Sequence, residues 1–184
     1  MDKFDLEKKK QLDRQDRSNI GNWDLKIRSL CNKINRKRNY YTTSSCAGRI
    51  ILMKYSDKKE ENIFLYRTHN RISFKELKKA LKEINYKDLI EFQQTSCILH
   101  VACRSLEDAQ DIVDKAKFAG WKRSGIMSTR KRFMVELHST ESMSFPVKQE
   151  RILVDDYYLK LIVKIANSKL ERIWNKIKKL KEII

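Results

Sequence analysis

The 184-residue sequence contains only four glycines and one proline, and this scarcity excludes several kinds of organisation. Flexible linkers are rich in glycine, proline and serine, so no linker or domain boundary is evident. The glycines at positions 21, 48, 120 and 125 are isolated, and no G-x-G pattern is present. Dinucleotide-binding turns, P-loops and nucleophile elbows all need closely spaced glycines, so the sequence excludes these sites.

Long apolar runs and paired cysteines are also missing. No run approaches the roughly 20 apolar residues of a membrane-spanning helix, and residues 1–17 are charged throughout, unlike a signal peptide. Cys31, Cys46, Cys97 and Cys103 form no C-x-x-C pair and no disulfide framework. We therefore expect a reducing, cytoplasmic location and no membrane partner.

Positive charge is the dominant feature that is present. Lys and Arg number 41 against 24 Asp and Glu, a formal net charge of +17. Such an excess favours a polyanionic partner, and basic clusters beside aromatic side chains are typical of proteins that hold unstacked RNA. Each cluster alone is more often a solvated surface, but together they predict RNA contact. The clusters are Arg36, Lys37 and Arg38; Lys122 and Arg123; and Arg130, Lys131 and Arg132, with Tyr40, Tyr41 and Trp121 nearby.

The apolar periodicity predicts an α+β fold in one domain, 1–184. Helices are predicted over 2–18, 22–35, 73–84, 105–118 and 155–183. Strands are predicted over 49–55, 62–68, 89–93, 96–103, 122–127 and 132–138. Gly21 ends the first helix, Trp23 opens the apolar stripe of the second, residues 57–61 form a turn, and Pro146 lies in a loop. N-terminal helices (1–38) thus precede an α+β core (40–148) and a C-terminal helix (155–184). Two hairpin-plus-helix halves predict a mixed sheet that could close into a barrel-like arrangement.

The segment 42–49 (TTSSCAGR), which precedes a predicted strand, has an unusual composition. Four hydroxyls, a thiol, a glycine and an arginine are typical of a hydroxyl-capped turn. The same residues could bind a phosphate or carboxylate through backbone donors, hydroxyls and the bidentate cation of Arg49. Cys46 would be nucleophilic only with a lowered pKa, so we favour a structural or binding thiol.

The histidines are candidate bases rather than metal ligands. Cys97-x-x-His100-x-x-Cys103 resembles zinc-ligand spacing, but alternation along a strand turns His100 away from both thiols. We therefore expect no metal. His100 shares a face with Arg104, which fits either a satisfied histidine beside a surface arginine or a base beside an anion-binding group. His69 is either solvated or faces RNA.

Several motifs, taken in chain order, resemble one family. They are YTTSSCAGRI (41–50), His69, LHVACR (99–104), GWKRSGI (120–126), VELHST (135–140), Pro146, Tyr158 and Asn167, with Asp24 and Asn35 upstream. The chain resembles the third wybutosine-synthesising protein, a tRNA methyltransferase family of archaea and eukaryotes, from Phe4 to the final helix. It departs from the family pattern at Ala47, where serine is usual, and at His138, where arginine is usual.

The resemblance implies an S-adenosylmethionine-dependent enzyme without a doubly wound fold, which agrees with the missing glycine motif. Its substrate would be the N(4) ring nitrogen of a 4-demethylwyosine derivative at position 37, in the anticodon loop of phenylalanine tRNA. No pattern fixes the oligomeric state, and a monomer is favoured. The alternatives, a non-catalytic basic RNA-binding module or a DNA-coating protein, leave the dispersed motifs unexplained.

The expected site is a cleft where residues 44–49, the face of His100 and Arg104, and the turn of Ser124 and Gly125 converge. His69, His100 or Asp24 would act as the base, and Arg49 or Arg104 would hold a carboxylate of the cofactor or substrate. The residues predicted to bind cofactor or substrate are Thr43, Ser44, Ser45, Cys46, Gly48, Arg49, Arg104, Ser124 and Gly125.

Overall fold

A computed structural model describes residues 2–13, 24–56 and 62–184, and these residues adopt an α+β fold. The elements in chain order are α1 (Lys3–Leu12), α2 (Leu25–Arg36), β1 (Tyr40–Lys54), β2 (Phe64–Thr68), α3 (Phe74–Glu83), β3 (Ile90–Cys103), α4 (Leu106–Phe118), β4 (Gly125–Ser128), β5 (Phe133–His138), β6 (Met143–Gln149), β7 (Arg151–Ile152) and α5 (Asp156–Ile183). The predicted class is confirmed, and the arrangement is not doubly wound.

The chain divides into two compact units. The first unit comprises Met1–Ala47, Cys97–Thr140 and Ile173–Ile184, and the second comprises Gly48–Ser96 and Glu141–Arg172. The prediction of one domain over 1–184 stays a prediction. No helix of the described residues has the length and apolarity needed to cross a membrane.

The sheet of the first unit has the strand order β1-β3-β5-β4. β3 and β5 are antiparallel over six consecutive pairs, and β5 pairs with β4 in the same sense. β1 and β3 are also antiparallel, because the Arg104 amide beyond the end of β3 donates to the Asn39 carbonyl before the start of β1, at 3.0 Å. The apolar faces of α2 and α4 are buried. Trp121 is fully buried and donates through Nε1 to the Lys176 carbonyl of α5, at 3.2 Å.

The second unit has the strand order β2-β1-β3-β6-β7. Its helix α3 begins at a capping box, since the Glu76 amide donates to the Ser73 hydroxyl and the Ser73 amide donates to Glu76. That backbone bond holds the pKa of Glu76 below its usual value. At the other end of α3, the buried ammonium of Lys148 donates to the carbonyls of Leu81 and Ile84, at 2.8 and 2.7 Å.

Two segments predicted as loops are strands. Segment 42–49 is part of β1, which pairs with β3, and at its start Asn35 bonds both the amide and the hydroxyl of Thr42 in place of a turn. Gly48 has a φ of +82°, which accommodates a local irregularity that other residues resist. Pro146 lies in β6 where the pairing with β3 changes register, a position at which a missing amide is tolerated.

Other boundaries also differ from the prediction. The two strands predicted over 89–93 and 96–103 are one continuous strand, β3, although the burial alternation is interrupted at Ser96 and Cys97. The sheet is antiparallel in every described pairing rather than mixed, and in the described residues β2 and β4 are edge strands, so it is open. The predicted helix stop at Gly21, the apolar Trp23 and the turn at 57–61 lie outside the described residues.

Candidate active site on the first unit

Three neighbouring strands of the first unit bring a hydroxyl, an imidazole and a carboxylate together. Ser44 lies on β1, His100 on β3 and Glu136 on β5, where Glu136 is directly opposite His100. The Ser44 Oγ is 2.7 Å from Nδ1 of His100, and Nε2 of His100 is 2.9 Å from Oε2 of Glu136. The side chains of His100 and Glu136 are 28% and 32% exposed, so the row can be reached from solvent. A histidine bonded in this way can accept and hold a proton.

His100 points away from the two cysteines of its own strand, as strand alternation predicts. Cys97 and Cys103 are buried, whereas His100 is half-exposed and bonds to side chains of the adjacent strands. Burial, followed by the carboxylates of Asp108 and Asp111, raises the pKa of the Cys103 thiol to about 12. All four cysteines are reduced thiols, and Cys46 is half-exposed.

Gly125 lies across from Glu136 on the edge strand β4. Paired residues of adjacent strands point to the same face of a sheet, so a side chain at this position would stand beside the Glu136 carboxylate. A Cβ built on Gly125 meets no atom of the described residues within 4 Å. The row of Ser44, His100 and Glu136 therefore ends at open space. Ser44 and His100, which were predicted to share a site, lie side by side in this row, and the predicted cleft with the turn of Ser124 and Gly125 stays a prediction.

Arg104, predicted to hold a carboxylate, is already paired with carboxylates of α1. Its guanidinium donates to Asp2 and Asp5 and lies 4.6 Å from the ring centre of Phe4. The hydrogen bond to Asp5 contributes most to raising the pKa of Arg104 above its ordinary value. The role predicted for Arg104 stays a prediction, but its affinity for carboxylates is evident within the chain.

A second cation, Arg132, is held by the same helix. Glu7 of α1 accepts a hydrogen bond from the Tyr41 hydroxyl at 3.2 Å and lies 3.9 Å from Arg132. Arg132 donates in turn to the Tyr41 hydroxyl, at 3.3 Å. Helix α1 has no buried residue, so polar contacts and the packing of Phe4 on Tyr41, with ring centres 5.1 Å apart, hold it in place.

Two of the predicted site residues support the backbone around the row. Asp24 is 6% exposed; its Oδ1 accepts from the Lys26 amide at the start of α2, and its Oδ2 accepts from the Ala47 amide at 2.9 Å. Ser124 is 7% exposed, and its hydroxyl donates to the Trp121 carbonyl and accepts from the His138 amide. Such buried, bonded groups position neighbouring strands and are poor candidates for substrate contact.

The remaining members of segment 42–49 are divided between the units. Thr43, Ser45 and Cys46 are half-buried in the first unit, and the Thr43 carbonyl accepts from Gln11 of α1 at 3.3 Å. Gly48 and Arg49 belong to the second unit. The convergence of all of segment 42–49 with the first-unit row stays a prediction.

Within the second unit, His69 and Arg49 have separate surroundings. Nδ1 of His69 is 3.2 Å from the Gly48 carbonyl, which can only accept, so His69 donates from Nδ1. The Arg49 guanidinium lies over Phe64, 5.1 Å from the ring centre. Its Nε is buried and has no hydrogen-bond partner among the described residues. A buried guanidinium nitrogen without a partner is available to an anionic ligand.

The basic residues predicted to contact RNA are exposed, and all belong to the first unit. They are Arg36, Lys37, Arg38, Lys122, Arg123, Arg130, Lys131 and Arg132. The neighbouring aromatic side chains of Tyr40, Tyr41 and Trp121 are buried instead, so they offer no stacking surface to RNA. The sequence analysis missed Glu136, although the alternation of β5 places residue 136 on one face with His138. What the sequence did not reveal is the register that puts Glu136 opposite His100.

Comparison with known proteins identifies relatives of the whole chain. The family described as Methyltransferase TYW3 matches residues 5–184. A Thermococcus sibiricus protein named tRNA(Phe) 7-((3-amino-3-carboxypropyl)-4-demethylwyosine(37)-N(4))-methyltransferase is 40% identical over 98% of this chain and 94% of its own. A protein of the same name from Methanocaldococcus jannaschii is 39% identical over 81% of this chain and 79% of its own. A solved structure of a Pyrococcus horikoshii protein has a TM-score of 0.87 and 35% identity, covering 98% of this chain and 96% of that one.

Proposed function

Because the chain belongs to the methyltransferase TYW3 family, we propose that it methylates N(4) of a 4-demethylwyosine derivative at position 37 of tRNA(Phe). Relatives at 36–40% identity from several archaea bear that activity in their names. The basic first unit supports a tRNA partner, and the target would be an anticodon-loop base that is extruded at modest cost. We expect the protein to work as a monomer in the cytoplasm.

S-adenosylmethionine would supply the methyl group from a positively charged sulfur. The residues present fit its carboxylate, since Nε of Arg49 is buried without a partner among the described residues. Methyl transfer to nitrogen is a displacement in which positioning and exclusion of water contribute much of the rate.

The observation that carries the proposal is the short bond between Ser44 and His100. A ring nitrogen that gains a methyl group must lose its hydrogen, so the reaction needs an acceptor for one proton. The Ser44 Oγ accepts that proton from the ring nitrogen and passes its own hydroxyl proton to Nδ1 of His100. His100 then carries the proton until it is released to solvent, to which the row is partly open.

Single-turnover methyl transfer tests this assignment. With labelled S-adenosylmethionine and tRNA(Phe) that carries the 4-demethyl base, we expect His100→Ala to slow the step by about 10²–10⁴-fold. His69→Ala is the matched variant, because it removes the other candidate base and leaves the first unit intact. A folded His100→Ala protein with the wild-type rate would refute the role of His100, and a slow His69→Ala protein would transfer that role to His69.

Arg104→Ala separates tRNA binding from chemistry. If Arg104 holds an anionic group of the tRNA, the variant should weaken tRNA binding and leave the rate at saturating tRNA largely intact.

Calorimetry with S-adenosylmethionine distinguishes the enzyme from a non-catalytic RNA-binding module, because only the enzyme needs affinity for the cofactor.

A further inference from the structure

Glu136 is the one member of the row that has no place in the proton transfer described so far. We infer that Glu136 is a positioning residue that fixes the tautomer of His100, so that Nδ1 stays unprotonated and can receive the Ser44 proton. This inference rests on the proposed function for its kinetic consequence, whereas the tautomer itself can be observed without any reaction.

The hydrogen-bond geometry carries the inference. An ionised carboxylate can only accept, so at 2.9 Å the Glu136 Oε2 requires the hydrogen of His100 to be on Nε2. A neutral imidazole has one ring hydrogen, and Nδ1 is then an acceptor for the Ser44 hydroxyl at 2.7 Å. The other tautomer would set two acceptors, Nε2 and Oε2, against each other at the same distance.

Glu136 also bears on the state reached after proton transfer. When His100 has taken up the proton it is an imidazolium, and the neighbouring carboxylate favours that charge. Both side chains are about one-third exposed, so solvent moderates the attraction without removing the directional bond. The carboxylate therefore orients the base before the transfer and favours the charged base after it.

The backbone keeps Glu136 in this position. It lies in the middle of β5, which is paired with β3 on one side and β4 on the other. Its second oxygen, Oε1, is 3.6 Å from Nδ1 of His138. The His138 amide is anchored by the Ser124 hydroxyl at 3.1 Å. The opposite strand has glycine at position 125, so no side chain there competes for the carboxylate.

The decisive experiment measures the His100 tautomer and the kinetics on one set of variants. Ring nitrogen-15 NMR of the folded protein should show His100 with its hydrogen on Nε2. In Glu136→Gln the amide can donate as well as accept, so we expect a mixture of tautomers. We also expect kcat to fall by tenfold or more, because the fraction of His100 with its hydrogen on Nδ1 cannot accept the Ser44 proton. The KM for tRNA should stay within about twofold, because the substrate contacts are unchanged.

Two further variants test whether the carboxylate of Glu136 itself is responsible: a conservative replacement at position 136 and a charge-matched control elsewhere. Glu136→Asp keeps an acceptor-only carboxylate on a shorter side chain and should restore the Nε2 hydrogen and part of kcat. Glu182→Gln makes the same charge change at an exposed position of the first unit and should leave both readouts unchanged. A role confined to stability would lower the unfolding temperature of Glu136→Gln without altering the tautomer.

The outcomes separate the two proposals. A wild-type protein that transfers no methyl group overturns the proposed function, while the NMR spectrum still tests the tautomer. An active wild type with a Glu136→Gln variant of unchanged tautomer and unchanged kcat overturns the inference alone. A Glu136→Gln variant that raises KM and keeps kcat would instead make Glu136 a substrate contact, which also overturns it.

Discussion

The contacts between α1 and two arginines make a prediction about tRNA binding. Asp2 and Asp5 occupy the guanidinium of Arg104, and Glu7 lies beside Arg132. An RNA phosphate that reaches either arginine must compete with a carboxylate of the protein itself. The triple variant Asp2→Asn/Asp5→Asn/Glu7→Gln removes these competitors, so we expect it to bind tRNA more tightly than the wild type.

The salt dependence of tRNA binding gives the size of the expected effect. Each additional phosphate contact steepens the dependence of log K on log salt by about 0.7 to 0.9. If both arginines become available, the slope should steepen by about 1.4 to 1.8, and if only one does, by half as much. The slope therefore counts how many of the two cations meet phosphate.

Fluorescence anisotropy with an unmodified tRNA(Phe) transcript across a series of salt concentrations measures this slope. The transcript lacks the aminocarboxypropyl chain, so only phosphates can respond. The charge-matched control Asp88→Asn/Asp114→Asn/Glu182→Gln removes three exposed acids that make no described contact with either arginine. Equal slopes for the two triple variants would refute competition at Arg104 and Arg132 and leave only a general effect of net charge.

Two further predictions concern stability and thiol reactivity. Lys148→Met removes two buried charge-assisted hydrogen bonds at the end of α3, and we expect it to lower the free energy of unfolding by about 2–4 kcal/mol in denaturant titrations. The exposed Lys82→Met is its control, and equal losses in both variants would contradict the role given to Lys148. Native-state alkylation should label Cys46 first, because the other three thiols are buried. Burial raises the pKa of the Cys103 thiol from its ordinary value of 9.0 to about 12, so the stability that the neutral thiol contributes is lost as the pH rises above about 9. Alkylation of Cys103 in the native protein, before any unfolding, would contradict its burial.

Local signals were sufficient for much of the fold. The helix starts predicted at residues 73 and 105 coincide with the N-caps of α3 and α4, because the hydroxyls of Ser73 and Ser105 satisfy helix amides within a few residues. Alternation along β3 correctly separated His100 from the buried thiols of Cys97 and Cys103.

Features that depend on distant partners could not be predicted in this way. Segment 42–49 has turn-like composition, and its extended conformation depends on the distant side chains of Asn35 and Asp24 and on the neighbouring strand β3. Pro146 was assigned to a loop because the register change that accommodates it depends on β3. Glu136 resembles any solvent-facing acid of an alternating strand until the register places it opposite His100.

The extended conformation of segment 42–49 changes how such a motif can recognise a ligand. The amides of Thr42 and Ala47 are already taken by Asn35 and Asp24, so the main chain offers fewer donors than a phosphate-binding loop would. Successive residues of a strand face opposite sides, so Ser44 and Cys46 serve one surface while Thr43 and Ser45 serve the other. The motif therefore consists of two interleaved sets of side chains, one on each face of the sheet. A ligand on one face contacts only one of these sets.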